Sequence, residues 1–110
     1  MKWKEISKTC PKAWEKFVSD YPGYWIDEDG DLVSGGMPDY DIFNERNLYD
    51  FFDEEKIYCT VYVNKNDMTF DYYIWIDHRT NWDSVIMADT REDIEADMFT
   101  KAFSILDARS

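Results

Sequence analysis

Residues 57–76 constrain the fold more than any other stretch. They read Ile57-Tyr58-Cys59-Thr60-Val61-Tyr62-Val63, then Asn64-Lys65-Asn66-Asp67, then Met68-Thr69-Phe70-Asp71-Tyr72-Tyr73-Ile74-Trp75-Ile76. β-branched and aromatic residues fill both runs, as a pleated surface prefers. Asn and Asp between them favour a turn, because they tolerate positive φ and bond nearby backbone. The pattern predicts an antiparallel hairpin with its turn at Asn64–Asp67. Side chains alternate along a strand, so Ile57, Cys59, Val61 and Val63 share a face with Met68, Phe70, Tyr72, Ile74 and Ile76. The opposite face carries Tyr58, Thr60, Tyr62, Thr69, Asp71, Tyr73 and Trp75. Four aromatic rings on that second face have two readings. They form a platform for a partner, or helices cover part of the face and the rings are ordinary packing, which is the commoner fate of aromatic stripes.

The rest of the chain supplies helices. Trp3 and Ile6 fit a short helical turn over 3–8. A helix beginning at Pro11, a residue suited to the first helical position, places Trp14, Phe17, Val18 and Tyr21 on one face, and Pro22-Gly23 ends it. Tyr24-Trp25-Ile26 and Leu32-Val33-Ser34 form a second hairpin, with Gly30 supplying the unusual backbone angle. Gly35-Gly36-Met37-Pro38 is a loop. Asn47 caps a short helix whose apolar residues are Leu48, Phe51 and Phe52, with Ile42 and Phe43 docking upstream. Asp77 to Asp83 is a polar loop, and Ser84–Ala88 is a third strand on the central hairpin. Thr90 caps a last helix with a wide apolar stripe of Ile94, Met98, Phe99, Ala102, Phe103, Ile105 and Leu106. There Glu92, Asp93 and Glu95 complement the helix dipole, and Asp97 and Lys101 form an i,i+4 pair.

The expected fold is therefore α+β. An antiparallel sheet on hairpin 57–76 is extended by strand 84–88 and by 24–34, and N- and C-terminal helices pack on it. The 110 residues suit a single globular domain.

Charge narrows the partners. The chain carries 24 acidic and 12 basic residues, a net −12. Residues 27–55 hold eleven acids against Arg46 alone, whereas residues 1–19 hold five Lys against Glu5 and Glu15. An acidic field repels nucleic acid and anionic membranes and attracts basic proteins or cations. The plain reading of the acids is solubility, and of the lysines an internal counterion. Cys10 and Cys59 form no CxxC pair and read as free buried thiols, with a single disulfide as the alternative that spacing leaves open. With neither an apolar span nor a secretory leader, the expected location is cytoplasmic.

Catalytic and metal motifs are thin. Asp27, Asp29 and Asp31 resemble the first three ligands of an EF-hand loop. The match fails at its sixth position, Leu32 instead of Gly, and at its twelfth, Pro38 instead of Glu. Gly35-Gly36 lacks the Lys and helix of a phosphate loop. One His and two separated Cys are a poor zinc set. His78 with Asp77 and Asp83 is the one corner suited to a small hydrolase or cation-dependent enzyme. Against it stands the plain reading of a loop histidine facing solvent.

Three segments also carry a resemblance. They are Trp3-Lys4-Glu5-Ile6-Ser7 with Pro11-Lys12-Ala13-Trp14, Asn47 to Asp53, and Thr90-Arg91-Glu92-Asp93 with Lys101-Ala102-Phe103. Together they resemble small uncharacterised proteins of bacteriophages and bacterial mobile elements. That resemblance implies a bacterial or phage cytoplasmic setting and transfers no activity, cofactor or site residue. The expectation is a non-enzymatic acidic binding protein, without cofactor or metal, acting on a protein partner. In its sharper form the acids imitate DNA phosphates and occupy a basic nucleic-acid site. The residues expected to bind are Asp27, Glu28, Asp29, Asp31, Asp53, Glu54, Glu55, Tyr58, Tyr62, Tyr73 and Trp75. The aromatic four also offer a surface for homo-oligomerisation.

Overall fold

The computed structural model describes residues 1–35, 41–76, 81–83 and 87–110. It is α+β, with four helices and two three-stranded antiparallel sheets. Its contacts divide it into two compact units, residues 1–47 with 103–110, and residues 48–102.

In the first unit α1 (Trp3–Thr9) and α2 (Pro11–Asp20) are followed by β1 (Tyr24–Ile26), β2 (Leu32–Ser34) and β3 (Asp41–Ile42). Pro11 occupies the first turn of α2, as expected, but Cys10 at the cap position offers no side-chain hydrogen bond. The orphan amides of that turn are met from the far end of the chain. Asp107 Oδ1 accepts from the backbone N–H of Lys12 at 2.8 Å and of Ala13 at 3.1 Å. A carboxylate there also suits the positive end of the helix dipole.

The interior of this unit is built from rings. Phe17 stacks on Trp3 at 5.5 Å and meets Phe43 and Phe103 edge-on at 5.3 and 5.7 Å. Tyr21 and Tyr24 close on the other sides of Phe43. Offset and edge contacts of this kind add to simple area burial. The 24–34 hairpin forms its own sheet with β3 rather than extending the central one. Ile42, on a strand the sequence did not announce, is exposed, whereas Phe43 is buried as expected.

In the second unit α3 (Asn47–Glu54), which begins in the first, leads into β4 (Tyr58–Asn64), β5 (Thr69–Trp75) and β6 (Asn81–Asp83). Helix α4 (Arg91–Arg109) begins here and contributes its last residues to the first unit. Thr90 caps α4, its Oγ1 accepting from Asp93 N–H at 3.2 Å. The whole expected stripe from Ile94 to Leu106 is buried.

Helix α3 ends in a left-handed turn at Lys56, φ 59°. Lys56 N–H donates to Asp53 O at 3.0 Å, and Ile57 N–H to Phe52 O at 2.8 Å. These are the paired bonds of a Schellman motif, and the fully buried Phe52 and Ile57 supply its apolar contact.

The central hairpin pairs without a break from Tyr58↔Trp75 to Asn64↔Thr69. Its turn lies one residue later than expected. Met68 is not on the core face of a strand; it closes the turn at φ 55° and is 76% exposed. Asn64 Oδ1 accepts from Asn66 N–H at 3.1 Å and braces that turn.

The third strand also differs from expectation. Asn81–Asp83, read as loop, pairs with Trp75–Tyr73, and beyond it Ala88 makes an isolated bridge to Phe70. Four residues separate Asp83 from Ala88 where two separate Phe70 from Tyr73, so the register shifts between the two pairings. Ser84, Val85 and Ile86, the body of the expected strand, lie outside the described residues.

Candidate binding face

Directly paired residues share a face of a sheet. The register therefore places Tyr58, Trp75 and Asn81 in one row. Thr60, Tyr73 and Asp83 form the next, followed by Tyr62 with Asp71 and Asn64 with Thr69. All four aromatic residues expected to bind are brought together. No residue of these rows is buried, and Tyr62 is 45% exposed. The tilted contact of Tyr58 with Trp75 at 4.6 Å shields part of both rings.

The helix goes to the opposite face. Tyr72 donates its hydroxyl hydrogen bond to Asp97 of α4, and the Arg91 guanidinium lies over the Phe70 ring at 5.3 Å. The outward face thus carries one exposed and three half-buried aromatic rings with two carboxylates, Asp71 and Asp83, and no base among the side chains of these rows. The Tyr62 phenol is raised from its ordinary value by desolvation first and then by both of these carboxylates, which places all three groups in one electrostatic neighbourhood. Rings with adjacent carboxylates are suited to lysine and arginine side chains, through cation–π attraction and charge-assisted hydrogen bonds. Alternation alone places Asp71 on this face; Asp83 is hidden because the polar run Asp77–Asp83 carries no strand pattern.

The expected acidic residues fall into two groups in different units. In the first, Glu28, Asp29 and Asp31 are exposed. Asp27 shapes its own turn, its Oδ1 accepting from Asp29 N–H at 3.0 Å and Asp31 N–H at 2.8 Å, beside Gly30 at φ +88°. In the second, Asp53 and Glu54 are exposed and Glu55 is half-buried at the end of α3. Among the described residues no group of three His, Cys, Asp or Glu converges to hold a metal ion. His78 and Asp77 lie outside the described residues.

One polar arrangement was not foreseen. Glu95, expected only to complement the dipole of α4, is 6% exposed and accepts the Tyr49 hydroxyl hydrogen bond at 2.6 Å. Burial, then the bond to Glu95 and its charge, push the Tyr49 phenol well above its usual range. Burial and Asp97 likewise raise the Tyr72 phenol, to about 12. Asp97, expected to pair with Lys101, takes that hydroxyl. The Cys59 thiol is pushed up to about 12 by burial and then by Asp53. All three groups are held protonated near neutral pH, so none is an activated nucleophile. The two tyrosines act as anchors that tie α4 to α3 and to β5.

Among the described residues no helix is long and apolar enough to cross a membrane. Comparison with family models, curated proteins and solved structures finds no match for this chain.

Proposed function

We propose that this is a non-enzymatic binding protein that engages a basic protein partner through the outward face of β4, β5 and β6. One observation carries the reading. Ten outward side chains, none buried, include Tyr58, Tyr62, Tyr73 and Trp75 with Asp71 and Asp83, and no base stands among them. Most aromatic surface of a small domain goes to its interior, so an aromatic face left partly exposed favours a ligand. The charge of residues 48–102, with 13 acids against 5 bases, favours a basic ligand over a phosphate backbone.

In the DNA-mimic form of this reading, Glu28, Asp29 and Asp31, or Asp53, Glu54 and Glu55, imitate phosphates before a basic nucleic-acid site in a host or defence enzyme. The resemblance of three short segments to phage proteins motivates that form, and five of these six acids are exposed.

The test is capture of partners from bacterial lysate by the tagged protein at roughly 0.05 and 0.5 M salt, which brackets strong and weak screening. Mass spectrometry is compared for wild type, Tyr62→Ser/Asp71→Asn, and Glu28→Lys/Asp29→Lys. A basic partner lost with the first variant supports the sheet face. A partner lost with the second, and displaced from wild type by duplex DNA, supports the mimic. Identical capture by all three proteins refutes both.

A further inference from the structure

The free edge of the central sheet names the form of that partner. Strand order is β4-β5-β6, so β4 is an edge, and among the described residues β5 is the only strand bonded to it. It is seven residues long, roughly 23 Å at about 3.3 Å per residue. The other edge, β6, has three residues. Long edges in soluble proteins are ordinarily blunted by lysine, proline, an inward charge, a bulge, or a covering helix or loop, and Thr60, Tyr62 and Val63 of β4 are exposed. Tyr58-Cys59-Thr60-Val61-Tyr62-Val63-Asn64 contains no charge and no proline, and its seven consecutive pairs with β5 leave no room for a bulge.

We infer that β4 is an acceptor edge, to which the basic partner adds an extended segment as a fourth strand. The inference rests on the function proposed above and specifies its geometry. A strand added beside β4 alternates its side chains between two environments. Every second one falls next to Tyr58, Thr60 and Tyr62 on the acidic aromatic face, where lysine or arginine is favoured. The others fall next to Cys59, Val61 and Val63, the last 45% exposed, where apolar side chains are favoured. The partner segment therefore alternates basic and apolar residues over about seven positions, the length of β4. Charge selects against a second copy of this chain as the occupant, since two copies bring two −12 charges together.

The experiment uses the full-length, isotope-labelled protein and two ten-residue peptides of equal composition. One alternates lysine and valine; the other carries them in two blocks. Two further versions of the alternating peptide are N-methylated on one or the other alternate set of amides. The alternating peptide is expected to shift Tyr62, Tyr73 and Trp75 resonances. It should also slow exchange at every second β4 amide, those facing away from β5, by at least about tenfold. Methylation of one set should abolish binding and of the other should leave it, because only one edge of the peptide faces β4.

Ring shifts without slowed β4 amides overturn strand addition and leave the binding face standing. Equal effects of both methylations, or equal binding of the block peptide, also overturn strand addition. Absence of any shift at millimolar alternating peptide overturns both readings. A peptide-free dimer by light scattering, with those same amides already protected, replaces the basic segment with a second copy.

Discussion

Glu95 costs the protein stability unless its carboxylate is met, and Tyr49 is the group that meets it. Removing the hydroxyl alone, as Tyr49→Phe, leaves a 6%-exposed carboxylate without that donor. The expected loss is about 1–3 kcal/mol, the range for an orphaned buried polar group. Urea denaturation measures it, and the double variant Tyr49→Phe/Glu95→Leu should recover part of the loss because no polar group is then stranded. An unchanged midpoint for the single variant would show that Glu95 finds another donor. Tyr72 adds a pH dependence. Its folded pKa is raised from 10.0 to about 12, so the folded state holds that proton more tightly than the unfolded chain. The associated stability is complete below about pH 10 and is lost as pH rises through about 12. A phenolate absorbance titration should show Tyr72 ionising late, together with unfolding, and Tyr72→Phe should flatten the alkaline decline. Neither carboxylate's role was legible in the sequence. Glu95 and Asp97 sit among polar neighbours on α4, and only the third dimension shows which of them faces Tyr49 or Tyr72.

Helix ends divide sharply into those the sequence declares and those it hides. Thr90 before Asp93 is a local signal, since cap and amide lie three residues apart, and α4 starts where that signal puts it. The cap of α2 is invisible in sequence because its carboxylate, Asp107, lies 95 residues from Lys12. The left-handed positions at Lys56 and Met68 are hidden for another reason: neither is Gly, Asn or Asp, so composition gives no warning of positive φ. Composition therefore predicts the hairpin turn one residue early, with Met68 on the strand side of it. The same facts predict a gain. Lys56→Gly relieves the left-handed strain of a side-chain-bearing residue while keeping the Schellman bonds. The expected stabilisation is about 0.5–1 kcal/mol, seen as a higher urea midpoint with an unchanged m-value. A lower midpoint would mean that the packing of the Lys56 stem outweighs its backbone strain.

Across the whole molecule, period two was enough to place Tyr58, Tyr62, Tyr73 and Trp75 together, because alternation is a property of the strand itself. Which side of the sheet keeps partly exposed rings was not legible. It depends on which side of the sheet receives α4, and the bonds of Asp97 and Arg91 to the Tyr72–Phe70 side decide it. Charge is legible as a sum but not as a distribution over folded units. Residues 48–102 carry 13 acids and 5 bases, a net −8; residues 1–47 with 103–110 carry 11 and 7, a net −4. Self-repulsion disfavours a compact state, and it grows with the square of the charge, so the central unit bears more of it. Raising ionic strength from about 0.01 to 0.15 M shortens the screening length from roughly 30 to 8 Å, less than the span of β4. Salt should therefore slow amide exchange across residues 48–102 more than across 1–47 and raise the melting temperature by a few degrees. The lysines of α1 and α2 work in the same direction by lowering the charge of the first unit, so replacing Lys4 and Lys8 with Gln should increase its salt sensitivity towards that of the second. Equal salt effects on both units, with no change in the Lys variant, would mean that solvent already screens these charges at low salt. The acidic excess would then act on partners alone and not on the fold.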